Sequence, residues 1–139
     1  MRLRTDLFAQ LNNGQEVQKD MVQVAFSKFS LRILQILQEE GLIHHWYLTN
    51  KKTKKNSKPI PLLEVYFKRK TYLTHFRGKH LFKITAISKT SRPFYISAKG
   101  LWKLDRGLSL YIISTSRGLL TDRQARKLSL GGELICKIQ

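Results

Sequence analysis

Only one cysteine, Cys136, occurs in the 139 residues, so the chain can form neither an internal disulfide nor a cysteine-only zinc site. That usage fits a reducing compartment. Acid is also scarce: nine aspartates and glutamates stand against 26 lysines and arginines, which leaves a net charge of +17. The natural match for such an excess is a polyanion, either nucleic acid or an anionic membrane. No apolar run approaches the ~18 residues that a membrane-spanning helix needs. The opening MRLRTDLFAQLNNGQ lacks the continuous apolar stretch of a secretory signal. Leu3, Leu7 and Leu11 instead recur at helical spacing, and with Asp6 they argue against a cleaved transit peptide.

Catalytic constellations are missing as well. His44 and His45 are adjacent, and on a strand their side chains are expected on opposite faces, where they cannot chelate one ion together. His75 and His80 have no carboxylate or thiol nearby in sequence, so no metal site is expected. There is no G-x-S-x-G, no Walker loop and no pair of acids spaced for glycoside chemistry. Glu133, after Gly131 and Gly132, is a lone acid. The expectation is a protein that is not an enzyme and carries no cofactor.

What remains reads as alternating helices and strands. Thr5 or Asp6 can cap a helix that Gly14 would end, and KDMVQVAF suggests a short strand. Ser27 caps KFSLRILQILQEEG, in which Phe29, Ile33, Ile36 and Leu37 share a face and Gly41 closes the helix. Strands follow at 42–48 and in IPLLEVYFKR, where Leu63, Val65 and Phe67 point one way. Between them, residues 49–59 carry five lysines and no acid, a mobile hairpin loop by composition. After the joint KTYLTHFRGKH the pattern turns mainly to strands: LFKITAIS with Phe82, Ile84 and Ala86 on one side, PFYIS, and the central SLYIIS. LLTDRQARKL reads as a short helix with the capping box TDRQ, and GGELICKI as a final strand with Leu134, Cys136 and Ile138 on one face. The expected fold is α+β, two small α/β sandwich-like domains at 1–72 and 73–139, the second dominated by antiparallel strands.

The charge is concentrated. Between positions 51 and 103 there are 15 lysines and arginines and one acid, Glu64, which accounts for +14 of the +17. A lysine run can be no more than a solvated face, but so many unbalanced charges repel one another unless phosphates neutralise them. Aromatic residues interleave with the cations, and most are needed to fill two small cores. Tyr95 stands out because it follows the cationic SRP turn, where a ring can stack on an unpaired base. STSRG, residues 114–118, joins an apolar strand to the TDRQ box. By composition it is either a plain turn or a loop built to hold something.

The stretch STSRGLLTDRQARKLSLGGELIC resembles the C-terminal signature of the family of the eighth protein of the small ribosomal subunit. That family has a Ser-Thr-Ser-(Lys/Arg)-Gly loop, a Thr-Asp-Arg-x-Ala-Arg helix and a Gly-Gly-Glu turn into the last strand, in this order and spacing. DLFAQLNNGQ and SKFSLRILQILQEEGLI resemble its first two helices. ISKTSRP stands where the family has a Ser-Lys-Pro-Gly turn, with Phe94 in place of the glycine after proline. The resemblance implies a structural protein that binds the central domain of small-subunit ribosomal RNA beside neighbouring ribosomal proteins and supports assembly and translation. It implies contacts at Ser114, Thr115, Ser116, Arg117 and Gly118, at Gly131, Gly132 and Glu133, and around the turn at Ser88, Lys89, Arg92 and Tyr95. Short hydroxyls suit phosphate and base edges, and glycines let a backbone approach RNA closely. Glu133 can accept from a base amino group or a ribose 2′-OH, or it can merely order the hydroxyl loop.

The long lysine loop implies an organelle-encoded member, in the mitochondrial matrix, with bacterial cytoplasm or a plastid as the alternative. The competing reading of the whole chain is a basic peripheral membrane or adaptor protein, which calls for a basic amphipathic helix. The basic stretch reads mainly as strands and loops, which favours RNA.

Overall fold

The computed structural model describes residues 2–52, 55, 57–68, 82–104 and 109–139. Contacts divide the chain into two compact units, Arg2–Leu81 and Phe82–Gln139. The domain boundary expected at 72/73 lies outside the described residues, as do His75 and His80. Helices and antiparallel sheets occur in both units, so the fold is α+β.

The first unit comprises α1 (Arg2–Glu16), β1 (Met21–Ala25), α2 (Lys28–Glu39), β2 (His45–Lys51) and β3 (Ile60–Tyr66). Its sheet has the order β1-β3-β2, antiparallel throughout. One face of the sheet and the apolar stripes of both helices form the core. Leu7 and Leu11 come from α1, Ile33, Leu34, Ile36 and Leu37 from α2, and Val24, Leu63 and Val65 from the strands, all buried. At about 1.5–3 kcal/mol for each large apolar side chain removed from water, these residues dominate the unit's stability. Leu63, Val65 and Phe67 do point one way, as alternation predicts.

Local signals explain the ends of α2. Ser27 Oγ accepts from the Ser30 amide at 3.0 Å, satisfying a donor that the first helical turn leaves open. At the other end Gly41 takes φ +73°, and the amides of Gly41 and Leu42 donate to the carbonyls of Gln38 and Leu37, a Schellman closure. α1 departs from expectation at both ends. It starts at Arg2 rather than at a Thr5 or Asp6 cap, and it runs through Gly14 to Glu16. The same closure forms there around Gln18 at φ +60°, with Gln18 and Lys19 donating to Gln15 and Gly14. Gly14 is buried inside the helix because a Cβ would lie 2.9 Å from Val22 Cγ2. The glycine gives β1 room to approach.

The second unit comprises β4 (Ile84–Ala86), β5 (Tyr95–Ile96), α3 (Ala98–Leu101), β6 (Leu110–Thr115), β7 (Gly118–Thr121), α4 (Asp122–Leu128) and β8 (Gly132–Ile138). The sheet order is β4-β8-β6-β7, with β5 also pairing along β8. β6 is internal, as its apolar run predicts, and Tyr111, Ile112 and Ile113 are all buried. Tyr111, Ile113 and Leu134 pack with Leu101 of α3 and Ala125 of α4. The register slips between Ile112 and Ile113, which pair with Cys136 and Leu134, so Ile135 is the extra residue of a bulge. The bulge breaks the expected alternation of β8, and Leu134, Ile135 and Cys136 are buried in succession. Ala86, expected inward with Phe82 and Ile84, is exposed.

Two more differences bear on the site. Leu119 and Leu120 are not helical but belong to β7, and the helix begins only after Thr121. The capping box is complete: Thr121 Oγ1 accepts from the Gln124 amide, and Gln124 Oε1 accepts from the Thr121 amide. Asp122 in the first turn of α4 is buried; its Oδ2 lies 2.9 Å from Arg126 Nη2, and Arg126 Nε donates to the Leu101 carbonyl. Nη2 is off hydrogen-bond alignment, so this contact is an ion pair. α4 is thereby tied to the end of α3.

Candidate nucleic-acid interface

STSRG is the β6–β7 hairpin. Thr115 pairs with Gly118, leaving Ser116 and Arg117 as a two-residue tip, both exposed. Among the described residues only Gln18 and Ser129 are non-glycines at positive φ, so the left-handed step of this hairpin falls on Gly118, at φ +97°. That is the task glycine performs at a bulged hairpin end. Thr115 fastens the turn: its Oγ1 donates to the Gly118 carbonyl at 2.9 Å and accepts from the Arg117 amide at 3.2 Å. Its hydroxyl works within the loop, and Ser116 and Arg117 stand out at the tip.

The second loop is brought to the first by strand pairing. Glu133 pairs with Ser114 on one side and with Tyr95 on the other. Directly paired residues of antiparallel strands share a face, so Tyr95, Glu133 and Ser114 form one row, opposite the face that carries Ile113 and Leu134. Tyr95 is 70% exposed at the end of this row. Glu133 Oε1 is buried and has no hydrogen-bond partner among the described residues, an acceptor whose burial carries an unmet cost.

Gly131 and Gly132 have a tighter role than the one expected from sequence. A Cβ on Gly132 would overlap the Ser114 carbonyl, and one on Gly131 would lie 2.6 Å from the Ile96 carbonyl. Both glycines make room for the protein's own backbone. This close approach is what brings the two loops together.

Ser88 likewise works internally. Its Oγ donates to the Leu134 carbonyl at 2.7 Å and accepts from the Phe94 amide at 2.9 Å. It thereby anchors a turn closed by Lys89 and Arg92, whose tip is Thr90 and Ser91. The turn thus precedes Pro93, and Phe94 is not in it; the Phe94 carbonyl accepts from Leu134. Lys89 and Arg92 are exposed. Among the described residues of this unit both carboxylate side chains, Asp122 and Glu133, are wholly or partly buried, whereas Lys99, Lys103, Arg117, Arg123 and Lys127 are exposed. The surface field is therefore positive.

Sequence reasoning did not find α3. Ser97 caps it by accepting from the Gly100 amide at 3.1 Å, but a four-residue helix containing glycine leaves no periodic signal. The exposure of Phe94 and Trp102 was equally hidden, because composition says only that most of the interleaved aromatics fill the cores and not which. The two histidines behave differently from expectation. His44 precedes β2 rather than lying in it, and the Nδ1 atoms of His44 and His45 are 2.9 Å apart. No group of three or more metal-ligating side chains occurs among the described residues.

Residues 4–139 match the family model described as ribosomal protein S8. The small ribosomal subunit protein uS8 of Thermus thermophilus is 37% identical over 139 residues, covering 96% of this chain and 94% of that protein. That of Hahella chejuensis is 35% identical over 136 residues, covering 96% and 93%. The small ribosomal subunit protein uS8c of Tetradesmus obliquus is 32% identical over 134 residues, covering 96% and 95%. With its signature loops joined in one row and residues 4–139 matched by the family model, the chain belongs to the ribosomal protein S8 family.

Proposed function

We propose that the chain, a structural and non-catalytic constituent of the small ribosomal subunit, binds the central domain of its ribosomal RNA through the β6–β7 hairpin and the Gly131, Gly132 and Glu133 turn. The observation that carries this reading is the row Tyr95, Glu133 and Ser114, set beside an exposed cationic turn. In it Ser114, Ser116 and Arg117 meet RNA directly, and Tyr95 stacks on a base. Thr115, Gly118, Gly131, Gly132 and Ser88 hold the loops in place. Glu133 accepts from a base amino group or a 2′-OH through a carboxylate that turns outward on binding, which gives its unpaired Oε1 a donor. Lys89 and Arg92 neutralise phosphates.

Binding of ribosomal RNA and of other ribosomal proteins fits the family. For location we propose the mitochondrial ribosome, on the strength of the lysine-rich loop between β2 and β3. Bacterial cytoplasm or a plastid is the competing placement and agrees with the bacterial and chloroplast origin of the relatives. Cell fractionation with an antibody to the chain separates these placements.

A salt titration of RNA binding tests the function. With about six phosphates contacted, log affinity against log salt has a slope of about −4 to −5, and binding to a central-domain fragment survives competitor RNA. Equal affinity for any anionic polymer or vesicle contradicts the reading.

A further inference from the structure

The first unit has a sheet face that neither helix covers. On it β2 presents His45, Tyr47, Thr49 and Lys51, and β3 presents Leu62, Glu64 and Tyr66, opposite the buried Leu63 and Val65. The aromatic rings are ordered against one another. His45 stacks on Tyr66 with centroids 4.7 Å apart and planes 23° apart, and Tyr47 meets Tyr66 edge-on at 5.8 Å. Tyr66 donates to Glu64 Oε2 at 3.3 Å, and Gln23 donates to Glu64 Oε1 at 3.2 Å, which fixes the ring and engages both carboxylate oxygens. Tyr47 remains 54% exposed.

Leaving a rigid aromatic cluster exposed on a water-facing sheet costs free energy that a flat apolar partner would recover by covering it. The charge around it names the partner. Lys51 stands on the same face, about 13 Å along the strand from Tyr47 at ~3.3 Å per residue. Lys52, Lys55 and Lys58 continue from it in the β2–β3 connection, all exposed. Glu64, the one acid on this face among the described residues, repels phosphate from the aromatic end, so a bound polyanion lies with its phosphates toward the lysines and its bases over the rings.

We propose that this face is a second nucleic-acid site, which takes single-stranded RNA by stacking unpaired bases on Tyr47 and the His45–Tyr66 pair. It is carried by residues of the first unit alone and does not rest on the β6–β7 hairpin reading.

The test uses the full chain and a single-stranded RNA of about 12 nucleotides without self-complementarity, a length within the usual range for stacking sites. Tyr47→Ala lowers its affinity about 5- to 150-fold, the range that loss of one base stack gives, and Tyr47→Phe restores it. A duplex of the same length, its bases hidden, binds the wild type more weakly. In wild-type protein, the same strand carrying 5-iodouridine crosslinks to the β2 peptide at Tyr47 or His45. Wild-type affinity in Tyr47→Ala, equal binding of the duplex, or crosslinks confined to the second unit would overturn the proposal and leave the face to a protein neighbour. The crosslink reads the native protein, so the outcome does not depend on how the variants fold.

Discussion

Glu133 on β8 stands directly across from Ser114 on β6, 19 positions earlier in the chain, and this one rung joins their two loops. The pairing converts separate signature elements into a single surface, with Tyr95 on the far side of Glu133. Because the rung depends on close backbone approach, its supporting residues are as testable as its exposed ones.

Gly132→Ala forces a methyl group onto the Ser114 carbonyl, and Gly131→Ala crowds the Ile96 carbonyl. Overpacking against backbone costs about 1–3 kcal/mol or more, because no rotamer can relieve it. Gly118→Ala meets open space and suffers only from its φ of +97°. The expected order of destabilisation in urea unfolding is Gly132→Ala, then Gly131→Ala, then Gly118→Ala.

Thr115→Ala removes a hydroxyl that both donates and accepts within the hairpin. A loss of about 1 kcal/mol in unfolding free energy is expected, with Thr115→Ser near wild type. RNA affinity follows the same order, since a loosened tip must be ordered on binding.

Gln18 occupies the left-handed position that closes α1, is exposed, and has a φ of +60°. The conformation costs a side chain about 1–2 kcal/mol, part of which glycine returns through its greater unfolded entropy. Gln18→Gly should therefore stabilise the protein by roughly 0.5–1 kcal/mol, read as a higher urea midpoint at unchanged slope.

Burial pushes the Cys136 thiol up to about 12 from an ordinary 9.0. The folded chain keeps its proton in the interval where the unfolded chain releases it. This contribution to stability is complete below pH 9.0 and is lost as pH rises toward about 12, with a slope of roughly 1.4 kcal/mol per pH unit. Comparing the alkaline unfolding slopes of wild type and Cys136→Ala isolates it. Iodoacetamide at pH 8 should alkylate Cys136 only as fast as the chain opens, because the side chain is wholly buried.

Where a local interaction decides the structure, the residues announce it. Ser27 caps α2, Thr121 and Gln124 complete their box, and Leu63, Val65 and Phe67 alternate inward. Where a distant contact decides, they do not. Gly14 has the composition of a helix stop, and only its contact with Val22 of β1 shows that it serves packing. Leu119 and Leu120 have no periodicity of their own and become strand by pairing with Ser114 and Ile113. His44 falls just outside β2, so neighbouring imidazoles that alternation would separate come together. The candidate site was legible as a set of residues. That Tyr95, Glu133 and Ser114 share one row depends on sheet register, which a single sequence does not encode locally.

The measurement that bears most directly on the central claim is the affinity of Ser116→Ala for a central-domain ribosomal RNA fragment, in excess competitor RNA at fixed salt. Ser116 is exposed at the hairpin tip, so its replacement leaves the fold intact. The expected loss is on the order of 1–2 kcal/mol in specific affinity, with nonspecific binding unchanged. Wild-type affinity for the fragment would contradict the account and reduce the hairpin to a turn.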